Sequence, residues 1–143
     1  MSRLQDAEGV LRKSLESYPE VPLLVREDSI VTALSDETGF PVTLWVDDYE
    51  YTVGYGDFWH GHFETIEEAV TSFLQGLSPT VRVREFIVEG EVVASNMEEW
   101  FEGDWVLVSA VVAARPEGTD TSEIRDSRYR MNRCIPSHHV PAS

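Results

Sequence analysis

The sequence has little that would cross-link the chain or hold it in a membrane. Its single cysteine, Cys134, excludes a disulfide within the chain. No apolar run approaches the roughly 18 residues of a membrane span. The N-terminal segment MSRLQDAEGVLRKSLE carries charges throughout and lacks the apolar stretch of a signal peptide. We therefore expect a soluble protein of the bacterial cytoplasm that does not bind membranes.

Basic residues are also scarce. The chain has 11 Lys and Arg against 26 Asp and Glu, which gives a net charge of −15. The excess lies in residues 1–114, which hold 22 acidic and 6 basic side chains. Such a surface repels the phosphates of nucleic acids and accelerates the encounter with a basic protein. We predict a basic protein surface as the partner and no nucleic acid. The competing interpretation is that the charge only keeps the protein soluble.

The composition changes after residue 114. The chain is 42% hydrophobic overall, which is enough for one domain with a packed core. From Arg115 onward the sequence is polar and is interrupted by proline and glycine. We predict a single α+β domain over residues 1–114 and a flexible or disordered tail over residues 115–143.

Two segments have the periodicity of amphipathic helices. The first covers residues 3–18 and ends before Pro19. The second follows Thr65, with apolar side chains at residues 66, 69, 70, 73, 74 and 77. Thr65 and Glu68 fit a capping box, in which Thr65 is the N-cap and Glu68 reaches back to it.

Other apolar segments alternate as strands do. Residues 42–46 and 51–55 have a period of two, and Asp47-Asp48 is predicted to turn between them. Residues 97–101 are predicted to form a short helical turn, and residues 105–112, the most apolar segment, a central strand. We predict an α+β fold: an antiparallel sheet of about five to six strands, with two main helices packed on one face.

Two histidines are the strongest candidates for a metal site. In the segment GDFWHGHFET, strand periodicity places His60 and His62 on one face and Trp59 and Phe63 on the other. Asp57 or Glu64 would add one oxygen ligand, but a structural zinc site needs four ligands and a catalytic one usually three. We therefore predict that these histidines bind no metal, and we expect no cofactor.

Catalytic motifs are absent from the sequence. It contains no G-x-S-x-G nucleophile elbow, and VGYG lacks the lysine and helix start of a phosphate-binding loop. The many carboxylates carry no information on catalysis, because an acid–base pair requires one buried member with a shifted pKa. The sequence favours a protein that is not an enzyme.

Aromatic residues next to acidic ones provide the candidate binding surface. Such pairs have the composition of a binding hot spot, although the aromatic rings can equally close the core. The predicted partner-binding residues are Trp45, Trp59, Trp100, Phe101, Asp57, Glu98, Glu99, Glu102 and Asp104.

A resemblance supports a binding role. Residues 53–91 run from a strand through W-H-x-H-F to a capped E-E-A-x-x-x-F-L helix and a V-x-V-x-E strand. This pattern resembles small acidic bacterial proteins of unknown role, some of which are similar to the immunity proteins of bacterial toxin systems. The resemblance covers under a third of the chain. It implies a cytosolic protein that neutralises a partner, and it implies no catalytic residues.

Three functional classes stay open on the sequence alone. The first is an acidic binding protein of immunity type that caps a basic protein. The second is a type III secretion chaperone, a class of small, acidic, dimeric α+β proteins; this chain differs from it in its aromatic-rich central strands and in lacking a C-terminal helix. The third is an enzyme or metal protein centred on His60 and His62. The sequence does not indicate whether the protein is a monomer or a dimer.

Overall fold

The described residues form two helices and nine strands. The computed structural model describes residues 2–32, 38–112, 126–137 and Val140. In chain order the elements are α1 (Arg3–Ser14), β1 (Leu23–Val25), β2 (Ser29–Thr32), β3 (Val42–Val46), β4 (Tyr51–Tyr55), β5 (Trp59–Phe63), α2 (Ile66–Leu77), β6 (Val81–Val88), β7 (Glu91–Phe101), β8 (Asp104–Val112) and β9 (Asp126–Met131). Mostly antiparallel strands with two helices confirm the predicted α+β class.

The first sheet is an antiparallel meander in the order β1-β2-β3-β4-β5. Its strands alternate as the sequence predicts: Val42 and Leu44 of β3 and Val53 of β4 are fully buried, and Leu44 lies directly opposite Val53. Helix α2 packs on β3, β4 and β5, and α1 packs on α2 and β3. This face of the sheet and the apolar faces of both helices form most of the core.

A second sheet replaces the single sheet that the sequence predicts. Its order is β8-β7-β6-β9, and all its strands are antiparallel. Val81 and Val83 of β6 and Met97 of β7 join the same core cluster as the first sheet. The predicted five to six strands are too few, in part because β9 lies in the predicted tail. Residues 97–101, predicted as a helical turn, continue β7 instead.

The predicted tail is wrong for residues 126–137. Strand β9 pairs with β6 along its whole length, and Ile135 is buried in the core. The segment is polar in composition, but its polar groups have partners within the fold. Arg128 and Arg130 both donate to the buried carboxylate of Glu85, at 2.8 and 2.5 Å. The rest of the predicted tail, residues 115–125, 138–139 and 141–143, lies outside the described residues.

Strand β8 is at an edge of the second sheet, not at its centre. The prediction rested on its apolar composition, which is typical of a strand covered on both faces. In the structure Leu107 and Val112 are 56% and 71% exposed. Apolar composition therefore did not report burial for this strand.

Helix α2 begins after Thr65 as predicted, but the Glu68 side chain bonds the Thr65 hydroxyl and not the backbone N–H that a capping box uses. Thr65 is the N-cap, and its hydroxyl accepts a hydrogen bond from the Glu68 N–H at 3.2 Å. The Glu68 carboxylate accepts a bond from that same hydroxyl at 2.9 Å, and this bond orients the cap. Helix α1 is shorter than predicted, because it ends at Ser14 with Leu15 as its C-cap.

The turn between β3 and β4 gives a pH-dependent prediction. The Asp47 carboxylate accepts the N–H groups of Glu50 and Tyr49, both at 2.7 Å, and these bonds hold the pKa of Asp47 below its ordinary value of 3.8. A lowered folded-state pKa stabilises the fold above the unfolded-state pKa, and this contribution is lost as the pH falls through the folded-state pKa. We expect Asp47→Asn to be less stable than wild type at neutral pH and equally stable at a pH below the folded-state pKa. Urea midpoints across this range measure the gap, and a gap independent of pH would contradict the assignment.

Candidate functional site

A cavity of about 550 Å³ lies between α2, β5 and the second sheet. Its deepest lining consists of side chains that are almost fully buried: Tyr55, Ser72, Val81 and Met97. Half-buried Trp59 and Phe63 of β5 form an aromatic wall. Mostly apolar lining with a few polar groups is typical of binding pockets.

Tyr55 fixes the base of the cavity. Its hydroxyl donates to the carbonyl oxygen of Ser72 at 2.5 Å, and its ring lies 4.7 Å from that of Trp59, centroid to centroid. Burial, and to a smaller extent the negative charge of Glu99, raise the pKa of the Tyr55 phenol. The phenol therefore stays neutral, and its ring packs against that of Trp59.

Three carboxylates surround the mouth of the cavity. Glu67 and Glu68 lie in the first turn of α2, and Glu99 lies on β7. Within the described part of the chain, none of the three forms an ion pair. Carboxylates beside aromatic rings attract cations, through charge and through the electron-rich ring faces. The cavity mouth is therefore suited to a positively charged group with an apolar stem.

A β-bulge brings an apolar side chain to the same cavity. The pairing of β7 with β8 shifts between Met97 and Glu98, because Glu98 lies opposite Leu107 and Met97 lies opposite Ser109. Val108 is the extra residue, and it lines the cavity. Bulges re-aim side chains in this way. The edge strand β8 thus borders the cavity.

The predicted partner-binding residues divide among separate regions. Trp59 and Glu99 line the cavity together. Trp45 and Asp57 line another hollow, of about 390 Å³, beside the first sheet, and they share a further one, of about 350 Å³, with Trp59 and His60. The others, Trp100, Phe101, Glu102, Asp104 and Glu98, lie at or near the β7–β8 hairpin.

The hairpin residues have structural roles of their own. Glu102 and Gly103 have positive φ angles of 48° and 86°, as the tight hairpin turn requires. The Trp100 ring contacts that of Trp105, with 5.4 Å between centroids. The Glu98 carboxylate accepts from Arg82 at 2.6 Å, so it is already paired.

Phe63, Glu67, Glu68 and Val108 are among the cavity residues that were not predicted. The alternation of β5 places Phe63 on the same face as Trp59, and Glu67 and Glu68 are the acidic first turn of α2. These three could have been found from the sequence. Val108 could not, because its direction depends on the bulge.

His60 and His62 share one face of β5, as predicted, with 5.4 Å between ring centroids. His62 Nδ1 lies 2.9 Å from the Glu50 carboxylate and 3.1 Å from the Thr52 hydroxyl. Among the described residues, no group of three or more His, Cys, Asp and Glu side chains can hold a metal ion. His138 and His139 lie outside the described residues.

We predict that the protein purified without a tag or chelator contains no stoichiometric metal, because His60 and His62 lack further ligands. Elemental analysis checks this. One zinc per chain that His60→Ala removes would contradict the prediction and would make a metal-dependent activity the leading hypothesis.

Comparison with known proteins gave no relatives: no family model, curated protein or solved structure matches the chain. In the described part of the chain, no helix has both the length and the apolar character needed to span a membrane.

Proposed function

We propose that this protein is a non-enzymatic binding protein of the bacterial cytoplasm that captures a basic protein surface at the cavity between α2, β5 and the second sheet. An immunity-type inhibitor that caps a basic protein is the form that we favour. The observation that carries the proposal is the group of three carboxylates, none of which forms an ion pair within the described residues, beside the aromatic wall of Trp59 and Phe63.

The net charge of −15 supports the same partner chemistry. Acidic charge over the whole surface steers a basic protein towards the complex, while the cavity provides the place where the complex is held. A lysine or arginine entering the cavity would bury its apolar stem against Trp59 and keep its charged end near Glu99 or Glu67. Steering and holding are separable, because only the holding depends on these particular carboxylates.

The test compares two double variants with equal changes in net charge. Glu67→Gln with Glu99→Gln removes two charges from the cavity mouth. Glu16→Gln with Glu20→Gln removes two exposed charges that do not line the cavity. We expect wild type and the Glu16/Glu20 variant to retain the same basic protein from native lysate. The Glu67/Glu99 variant should bind this protein about tenfold more weakly, which is a loss of about 1.4 kcal/mol of binding free energy.

Retention is measured at low and moderate salt, since a steered complex forms more slowly when salt screens the charges. If all three proteins retained the partner equally, the binding site would not be at the cavity. Retained proteins that are not basic, or turnover of a small molecule, would contradict the proposed function itself.

A further inference from the structure

Strand β8 offers an open backbone edge beside the cavity. Among the described strands it pairs only with β7, so the N–H and C=O groups on its other side have no strand partner there. Its apolar side chains are exposed on both faces: Val106 on the cavity face and Leu107 on the opposite face are 47% and 56% exposed. An open apolar edge is the surface to which extended segments add as a further strand.

Natural sheets protect such edges with charges or keep them short, and two of the other described edges of this protein, β9 and β1, follow that rule. Strand β9, at the opposite edge of the second sheet, carries Arg128 and Arg130, and β1 has only three residues. Residues 105–112 of β8 contain neither a charge nor a proline. The bulge at Val108 divides β8 into the stretches 104–107 and 109–112. Apart from the Trp105 N–H, which already donates to the Asp104 carboxylate at 2.8 Å, the edge is therefore open in short regular stretches.

Residues 113–125, which follow β8 in the chain, are too few to cover the 104–107 stretch. Val112 lies opposite Ala94 and Asp126 opposite Ile87, so residues 113–125 join opposite edges of the second sheet at the same end. Crossing three strand spacings takes about 14 Å, or roughly four extended residues. The other residues of this segment would have to run along β8 and back again, so they could cover only roughly four residues of that strand. Residues 104–107 lie beyond their reach.

We propose that residues 104–107 of β8 accept an extended basic segment of the binding partner as an added strand. In this added strand, Lys or Arg side chains on the cavity face reach the carboxylates of Glu99 and Glu67. Val106 lies directly opposite Glu99 on β7, so a strand added at Val106 runs alongside the cavity mouth. The inference rests on the proposed function and adds to it the conformation and composition of the segment that is recognised.

Charge favours this occupant over a second copy of the chain. Two copies pairing through β8 would bring two molecules of net charge −15 together and would place no cation near Glu99. A basic segment uses the same backbone edge and neutralises the cavity mouth. The second copy is therefore an outcome that the experiment must separate.

The first experiment uses three capped peptides as probes: alternating valine and lysine, the same sequence with alternate backbone amides methylated, and alternating valine and glutamate. We expect the valine–lysine peptide to shift the NMR signals of residues 104–107 and Glu99 and to slow amide exchange in that stretch. Methylation removes the hydrogen-bond donors and is expected to weaken binding about tenfold or more. No binding, equal binding of the methylated peptide, equal binding of the glutamate peptide, or shifts confined to other acidic residues would overturn the proposal.

The second experiment uses Val106→Lys and Val106→Glu, both at an exposed position. A basic segment should be repelled by the lysine and retained by the glutamate, whereas self-pairing should be weakened by both, because a like charge then meets its copy. A molecular mass that doubles with concentration, and that either variant restores to the monomer, would identify the second copy as the occupant and overturn the proposal. If binding of the lysate protein is weakened by the Glu67/Glu99 variant but not by Val106→Lys, strand addition is wrong and the proposed function stands.

Discussion

Asn132→Ala should destabilise the fold by about 3 kcal/mol, although the sequence places this residue in a polar stretch. The Asn132 side chain is buried and makes three hydrogen bonds. Its Nδ2 donates to the carbonyl oxygens of Phe40 and Gly76, both at 2.8 Å, and its Oδ1 accepts the Phe40 N–H at 3.1 Å. Each bond contributes about 1 kcal/mol, and removing the amide leaves the buried backbone groups of Phe40 and Gly76 without these partners.

Chemical denaturation of the Asn132→Ala variant measures this loss, with Asn96→Ala as the matched control. Asn96 lies on the outer face of β7, away from the core, and its side chain makes no hydrogen bond with the described residues. We expect the control to change the free energy of unfolding by less than about 0.5 kcal/mol. If Asn132→Ala is as stable as the control, then residues 126–137 contribute little to the fold, and the tail prediction would be right in energetic terms.

Asn132 also shows why the sequence misses this part of the fold. Apolar periodicity finds elements that bury one face, as for α2 and for β3 and β4. Residues 126–137 instead join the structure through polar side chains: Arg128 and Arg130 to Glu85, and Asn132 to backbone groups far away in the sequence. A polar residue with a distant partner looks the same in the sequence as one in water.

Strand β8 shows the opposite error. Its apolar composition predicts a central position, but whether a strand is central depends on which strands pair beside it. Strand β9 pairs with β6 and not with β8, so β8 stays at the edge of the second sheet. An apolar strand at an edge is uncommon, and only the topology shows that β8 is such a strand.

The candidate site was predictable in part. Aromatic rings near carboxylates in the sequence predict Trp59 and Glu99 as site residues, and the structure brings these two to one cavity. The same argument grouped them with Trp45 and Asp57, which share a smaller hollow with Trp59 but do not line the cavity with Glu99. Local composition suggested the residue types, while the grouping depended on strand register.

Gly76 in α2 gives the other large expected effect, because it is where the Tyr55 ring contacts the helix. A Cβ added at residue 76 would lie 2.8 Å from Cδ1 of Tyr55 and closer still to Cε1. The ring has little room to move: its hydroxyl is bonded to the Ser72 carbonyl, and the rings of Phe40 and Trp59 lie against it, with centroids 5.6 and 4.7 Å away.

Gly76→Ala should therefore destabilise the fold by about 2 kcal/mol, since overpacking a rigid core costs about 1–3 kcal/mol and outweighs the helix propensity of alanine. Gly9→Ala is the matched control: it is also a helix-interior substitution, but a Cβ there meets nothing within 4 Å. We expect this control to stabilise the fold by up to about 1 kcal/mol. Denaturation midpoints of the two variants should thus move in opposite directions. The loss at Gly76 should shrink in a Tyr55→Leu background, where the edge of the ring is absent. A stabilising Gly76→Ala would mean that Tyr55 can shift without cost, and that it is not a fixed base for the cavity.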